Sequence, residues 1–172
     1  MHIMLDLETM GTRPDAPIIA IGAVAFDKDG ITSPFYEVID LAWAVRDGAT
    51  MSPETVIWWL KQSDEARAAI TRRGIEPKVA LERFRRFVEL HGGDGMWGNG
   101  ASFDNVILSE VYLRLGMKAP WPFWTDRCYR TVKGMYPDVR MERSGTHHNA
   151  LDDARSQAEH LIAISAKHGD FL

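Results

Sequence analysis

Ile3-Met4-Leu5-Asp6-Leu7-Glu8-Thr9-Met10-Gly11 is the stretch on which the reading of the fold turns. Ile3, Leu5 and Leu7 alternate with Met4, Asp6 and Glu8, the period of a β-strand with one face turned to a core and the other to a site. Residues two apart on a strand point the same way, so Asp6 and Glu8 project a pair of carboxylates from one face. Such a pair repels itself and stays ionised at neutral pH only beside positive charge, which hard divalent cations such as Mg²⁺ supply through carboxylate oxygens. An isolated Asp-x-Glu is also what a solvated acidic strand end looks like, so the pair alone proves little. In the following Thr9-Met10-Gly11, a Gly directly after a strand lets the backbone approach a ligand closely. Met10 is a candidate wedge against a terminal base, or a filler of core gaps, the commoner use of methionine.

Outward from this strand the pattern is strands first and helices later. Ile18 to Phe26 is β-branched and apolar enough for a buried strand, and Asp27-Lys28-Asp29-Gly30 supplies the turn into a third strand over Ser33 to Asp40. Ser52-Pro53-Glu54 is a helix start, with Ser52 as N-cap and Pro53 at the first helical position, leading into Thr55 to Gln62. A second short helix follows Ser63. From Pro77, the spacing of Ala80, Phe84, Phe87, Val88 and His91 gives an apolar helical stripe ended by Gly92-Gly93. Met96 and Trp97 read as a short buried strand. Phe103, Ile107 and Val111 mark the next helix, and Leu151, Ala154, Ala158, Leu161, Ile162 and Ser165 the last. The expected fold is α/β, a mixed central sheet of about five strands flanked by helices.

Two further segments carry chemistry. Gly98-Asn99-Gly100-Ala101-Ser102-Phe103-Asp104 is a small-residue turn that delivers Asp104 to a helix start, where the dipole favours a carboxylate; an ordinary cap there contributes on the order of 1 kcal/mol. Asn99 is a turn residue or a substrate contact. His147-His148-Asn149-Ala150-Leu151-Asp152-Asp153 sets histidines in a loop ahead of a helix with two carboxylates in its first turns. Histidine titrates near neutral pH and can take a proton from water, although each of these residues, taken singly, also suits a polar surface loop.

Taken together, Asp6-x-Glu8, then Asp104 after Asn99-Gly100-x-x-Phe103, then His148 ahead of Asp153, resemble the DEDDh (DnaQ-like) proofreading-exonuclease superfamily over Met4 to about Ala166. Leu5 to Gly11, Trp58-Trp59 and Trp97-Gly98-Asn99-Gly100 look most like its phage-type exonuclease A branch and that branch's bacterial relatives. Met10 departs from the Thr or Ser that many members have before the Gly. The region from about residue 42 to 75 looks like a helical insertion. The resemblance implies one RNase H-like exonuclease domain over residues 1–172. It implies a 3′→5′ exonuclease that releases nucleoside 5′-monophosphates from single-stranded RNA or DNA ends by two-metal hydrolysis, with metals about 3.5–4 Å apart. Asp6, Glu8, Asp104 and Asp153 would hold two Mg²⁺ or Mn²⁺ ions and His148 would be the general base. Thr9, Met10, Gly11, Asn99 and Phe103 would contact substrate. His147 and Asp152 lack the family spacing.

Composition sets the outer bounds. A chain of 172 residues suits one domain. No apolar stretch is long enough to cross a bilayer, and Asp6 and Glu8 stand where a secretory leader would need an unbroken apolar run. The single Cys128 excludes an intramolecular disulfide and a multi-cysteine zinc site, and suits a cytoplasmic setting. A net charge of −4 is unusual for a nucleic-acid binder, but two divalent cations on the four carboxylates would cancel it. Phe103 and Trp59 are candidate stacking residues, and Arg13, Lys133, Arg140 and Arg143 candidate phosphate contacts, each also readable as core or solvated surface. Trp121-Pro122-Phe123-Trp124, if exposed, would suit a homodimer. The competing readings are a phosphodiesterase of small nucleotides or dinucleotides and an inactive nucleic-acid-binding module.

Overall fold

The structure, a computed structural model, describes residues 1–169 and residue 172. In chain order it contains β1 (His2–Thr9), β2 (Ile18–Asp27), β3 (Gly30–Val38), α1 (Leu41–Arg46), α2 (Pro53–Trp59), α3 (Asp64–Ile70), α4 (Pro77–His91) and β4 (Gly95–Gly98). There follow α5 (Asp104–Arg114), a single 3₁₀ turn (Phe123–Thr125), β5 (Asp126–Cys128), α6 (Tyr129–Met135) and α7 (Ala150–His168). The strands form one mixed sheet in the order β3-β2-β1-β4-β5, with β3, β2 and β1 antiparallel and β4 and β5 parallel to β1. This is the expected α/β, RNase H-like architecture.

Local chemistry explains the boundaries. The β2–β3 hairpin closes on Lys28-Asp29, with Asp27 paired to Gly30 and the Asp29 N–H donating to Asp27 Oδ1 at 2.9 Å. Gly30 takes a positive φ of 142°, so β3 starts three residues before the expected Ser33 and ends at Val38. Ser52 caps α2 by accepting the Thr55 N–H at 3.3 Å, and Ser63 caps α3 through the Ala66 N–H at 3.2 Å. α2 stops at Trp59, short of the expected Gln62. The region read as inserted holds α1, α2 and α3, and Ile75 returns to bridge Ile39 at its far end.

The core lies on both faces of the sheet. Ile3, Leu5 and Leu7 pack with Leu81, Phe84 and Leu108 beneath α4 and α5. Met4 packs on the opposite face with Val24, Trp97, Ala154 and Leu161 beneath α7. A fully buried side chain such as Leu161 contributes about 1.5–3 kcal/mol, so the seat of α7 is set by apolar packing. The face read as site-directed along its whole length is therefore core through Met4, and opens to a site only at Asp6 and Glu8.

β2 lets α7 come close at that point. Gly22 pairs with Asp6 across the β1–β2 ladder, and a Cβ on Gly22 would stand 2.1 Å from the Ala150 carbonyl carbon. The first turn of α7 thus lies against bare backbone, beside the strand that carries the carboxylates. Gly22→Ala should force α7 off the sheet at a cost of about 3 kcal/mol, the upper part of the range for overpacking. Thermal denaturation should show a melting temperature lower by about 6–12 °C for a chain of this size; a wild-type melt would mean that the approach is slack.

Candidate active site

A cleft of about 520 Å³ opens at the C-terminal end of β1. Its walls include Asp6 to Thr9 and Gly11 from β1 and the turn after it, Trp58 and Trp59 from α2, Asn99, Phe103 and Asp104 around the start of α5, Arg130 from α6, and Arg143, His147, His148, Asp153 and Gln157 from the approach to α7 and α7 itself. Asp6, Glu8 and Asp153 each place a carboxylate oxygen within 4.8 Å of the others. Glu8 Oε1 is buried and accepts no hydrogen bond from the protein. Asp6 Oδ1 accepts from Gln157 Nε2 at 2.8 Å. Asp153 Oδ2 accepts the His148 backbone N–H at 2.9 Å, and its other oxygen accepts from the Arg143 guanidinium.

Asp104 enters the same cleft differently. Its Oδ1 accepts the Leu7 N–H at 3.1 Å and its Oδ2 the Asn99 N–H at 2.9 Å, so the carboxylate ties β1 to the end of β4. The N-cap position of α5 is taken by Phe103, and Asp104 stands one place past it as the first residue of the helix. Gly98 permits the approach, since a Cβ there would stand 2.4 Å from Asn105 Oδ1 and 3.0 Å from Asp104 Cβ. Three of the four candidate carboxylates are thus clustered, and the fourth lies beside them with both oxygens engaged by backbone.

Burial and mutual repulsion act in the same direction here. Burial, then Asp104, Glu8 and Asp153, hold the Asp6 carboxyl well above the usual carboxylate range, against the Gln157 bond that lowers it. Burial, then the charges of Asp153 and Asp104, push Glu8 up to about 8. Burial raises Asp104 to about 7 despite the backbone N–H groups of Leu7, Asn99 and Asp104 itself and the charge of Arg130, which lower it. A buried all-oxygen donor set with an unpaired Glu8 oxygen fits a hard divalent cation, whose charge would reverse these shifts.

His148 lies on the cleft wall with a positive φ of 62°, its ring edge-on to Trp58 at 4.8 Å and stacked on His147 at 3.7 Å. Burial first, then His147, lowers its pKa, so the imidazole is held neutral at neutral pH. Asp152 turns away to accept the Thr146 N–H at 2.8 Å and thereby shapes the loop.

Of the residues read as substrate contacts, Thr9, Gly11, Asn99 and Phe103 line the cleft. Met10 does not; it packs on the Ile19, Trp59 and Ala66 cluster, the core use of methionine left open by the sequence. The two tryptophans exchange roles relative to expectation. Trp59 is buried and its indole donates to the Thr9 carbonyl at 2.9 Å, whereas Trp58 is 42 % exposed at the cleft edge and is the better stacking surface. Trp121 is likewise buried and bonded to Asp126, which leaves Phe123 and Trp124 as the exposed part of the expected dimer patch. Gln157 was not foreseen, although it follows Asp153 by four residues and so shares its helical face.

Known proteins align with this arrangement. The nuclease domain of 3'hExo, a DEDDh family member bound to rAMP, superposes with a TM-score of 0.67 at 14 % identity, over 98 % of this chain and 93 % of that one. Exonuclease X in complex with 5′-overhanging duplex DNA gives a TM-score of 0.60 at 17 % identity, again over 98 % and 93 %. An exodeoxyribonuclease of Enterobacteria phage T4 is 26 % identical over 155 residues, covering 74 % of this chain and 68 % of the phage protein. The fold is shared with the DEDDh nuclease domain and with exonuclease X, and the matching family sets the class: a 3′→5′ exonuclease, a phosphodiester hydrolase. Within it, residues 1–165 match the 3'-5' exoribonuclease Rv2179c-like domain, and the chain belongs to that family.

The raised carboxyl pKa values have a measurable sign. A carboxyl whose folded pKa is raised binds more protons in the folded state, so the contribution of Glu8 to metal-free stability is fully present below the ordinary value of 4.5 and is lost progressively as pH rises to about 8. With EDTA the melting temperature should therefore fall between about pH 5 and pH 8, and the stabilisation given by Mn²⁺ should grow over the same interval. A metal increment that shrinks with rising pH would contradict the assigned carboxylate cluster.

Proposed function

We infer that this chain is a divalent-metal-dependent exonuclease that removes nucleoside 5′-monophosphates one at a time from the 3′ end of single-stranded nucleic acid. The observation that carries this reading is the convergence of Asp6, Glu8 and Asp153 oxygens within 4.8 Å around the unpaired Glu8 Oε1, on the floor of a cleft that also holds His148. RNA is the first substrate on this reading, from the family's description as exoribonuclease, and the phage exodeoxyribonuclease makes DNA the second. A cytoplasmic setting accords with the single free Cys128.

The residues divide the work by position. Asp6, Glu8 and Asp153 would hold one Mg²⁺ or Mn²⁺ ion, with Asp6 shared and Asp104 serving a second. When bound, such ions lower the pKa of the attacking water and offset charge on the leaving 3′ oxygen. Gln157 fixes the Asp6 carboxylate by its 2.8 Å bond. His148 takes one proton from the attacking water on a ring nitrogen. The water oxygen bonds to phosphorus as the bond from phosphorus to the 3′ oxygen breaks, the leaving oxygen takes a proton from solvent, and His148 later gives its proton to solvent, which leaves a 5′-monophosphate and a chain shortened by one residue with a free 3′-hydroxyl. Thr9, Gly11, Asn99 and Phe103 line the path of the terminal nucleotide, and Trp58 offers a face for its base at about 1–3 kcal/mol.

Digestion of 5′-labelled single-stranded RNA and DNA with Mg²⁺ or Mn²⁺ tests the reading directly. A metal-dependent ladder shortening from the 3′ end is expected, and the faster polymer identifies the sugar. His148→Ala should lower turnover by about 10²–10⁴, the range for a lost general base. Asp6→Asn should weaken Mn²⁺ binding in calorimetric titration as well as rate. Dinucleotides consumed while longer chains stay intact would replace the exonuclease with a small-nucleotide phosphodiesterase; binding with no cleavage would leave only a binding module.

A further inference from the structure

Beside the cleft lies a second groove of about 870 Å³, lined by α6 and by the strap from Pro137 to Arg143 that precedes the α7 loop. Its charged lining is wholly basic: Arg130, Lys133, Arg140 and Arg143, with no carboxylate among the lining residues. In a chain of net charge −4 with 24 acidic residues, such segregation is a local feature rather than the composition of the whole. Asn99, Arg130 and Arg143 line both spaces, so the groove opens directly into the cleft.

The four cations are not equivalent. Arg143 is drawn to Asp153, and Arg130 donates to the Asn99 carbonyl at 2.7 Å, which places both at the junction. Lys133 and Arg140 stand farther along, exposed, and among the described residues neither has a carboxylate within ion-pair distance. Of the two acidic residues of the strap, Asp138 is turned aside to Lys167 and His168, and Glu142 does not line the groove. Arg13, the other candidate phosphate contact, lies 3.8 Å from Asp15 and lines neither space.

The groove is also held in shape. His160 on α7 is buried and bonds Tyr129 at 2.6 Å through Nδ1 and the Val139 carbonyl at 2.8 Å through Nε2. The Tyr129 hydroxyl is 3.2 Å from Met141 Sδ. Both residues that flank Arg140 are thus tied to one buried pair that spans α6 and α7. A strap carrying free positive charge would be expected to move with solvent; this one is pinned on either side of its arginine.

We propose that this groove is the track for the single-stranded substrate upstream of its 3′ end, with Lys133 and Arg140 holding successive backbone phosphates as the terminal residue enters the cleft. The proposal rests on the exonuclease reading for the identity of the polymer. Phosphate contacts of this kind are sequence-independent, and each bound phosphate releases counterions, so affinity falls with salt by about 0.7 in logarithmic slope per contact on a single strand. A groove with only positive lining and a direct opening to the cleft suits a polyanion that must slide by one residue after each cut, because no base-specific contact has to be broken.

Binding and cleavage can be read separately. Fluorescence anisotropy with a 5′-labelled 20-residue single strand, in EDTA and over a salt series, should show Lys133→Gln/Arg140→Gln binding about tenfold more weakly at 0.1 M salt, with the slope reduced by about 1.4. Lys78→Gln/Arg86→Gln, which removes two exposed cations from α4, should keep the wild-type slope. An unchanged slope in the groove variant, or an equal fall in the α4 variant, would overturn the proposal in favour of diffuse charge. The same 20-mer with Mn²⁺ reports cleavage: if wild type fails to cut, the exonuclease reading falls, while the anisotropy slopes still judge the groove. The groove variant should cut with a raised KM that converges on wild type as salt is lowered; a KM that stays apart at low salt would overturn the assignment to backbone phosphates.

Discussion

The repulsion among buried carboxylates at the end of β1 is the constraint around which the rest is arranged. Burial raises the pKa values of Asp6, Glu8 and Asp104, and at Asp6 and Glu8 the charges of the neighbouring carboxylates raise them further. Two helices begin here, α5 at Asp104 and α7 close to Asp153, and their dipoles offer about 1 kcal/mol each. A Glu8 carboxyl displaced from 4.5 to about 8 is a larger effect than those dipoles can offset, so they do not by themselves keep the set ionised. The fold supplies rigid backing instead: apolar packing of α7 on the sheet, glycines where the helices touch bare strand, and Gln157 on Asp6. Arg143 offsets Asp153, and on the proposed reading a divalent cation would complete the charge balance in the smallest space.

The distribution of charge over the surface follows from the same arrangement. Asp6, Glu8, Asp104 and Asp153 are gathered in the cleft, and Arg130, Lys133, Arg140 and Arg143 line the groove beside it. Arg143 stands where the two meet, its guanidinium on Asp153. Such a chain can be acidic overall and still present one positive face to a nucleic acid, which resolves the conflict between its composition and its family.

Much of this was legible in the sequence because the decisive signals are local. The two-residue spacing of Asp6 and Glu8, the Ser52-Pro53 helix start and the helical stripes of α4 and α7 depend only on neighbours, and the structure shows each of them. β5 and α6 escaped because Asp126-Arg127-Cys128 is three residues long with two charges, and Tyr129–Met135 contains a Gly and little apolar periodicity. The exchange between Trp58 and Trp59 was undecidable from the helix alone. Which tryptophan is buried depends on the Thr9 carbonyl, fifty residues away in sequence, reaching the Trp59 indole. The bonds that engage both Asp104 oxygens were equally hidden, since their donors sit on β1 and at the end of β4. The basic groove is the same kind of case: its lysine and arginines are scattered singly, and only the His160–Tyr129 pair brings their strap against α6.

The bond from Gln157 to Asp6 joins residues 151 apart, and that from Asp104 to Leu7 joins residues 97 apart. Contacts of such separation form late, because the chain between them must first be ordered. During synthesis β1 leaves the ribosome ahead of β2 to α7, and it presents two carboxylates before Asp104 and Asp153 are made. Asp153 and His148 follow almost the whole chain later and are placed only when α7 docks on Gly22. On the catalytic reading given above, the nascent protein is inert towards the nucleic acid that surrounds it, including the message being translated. Competence arrives in a single step with the last helix.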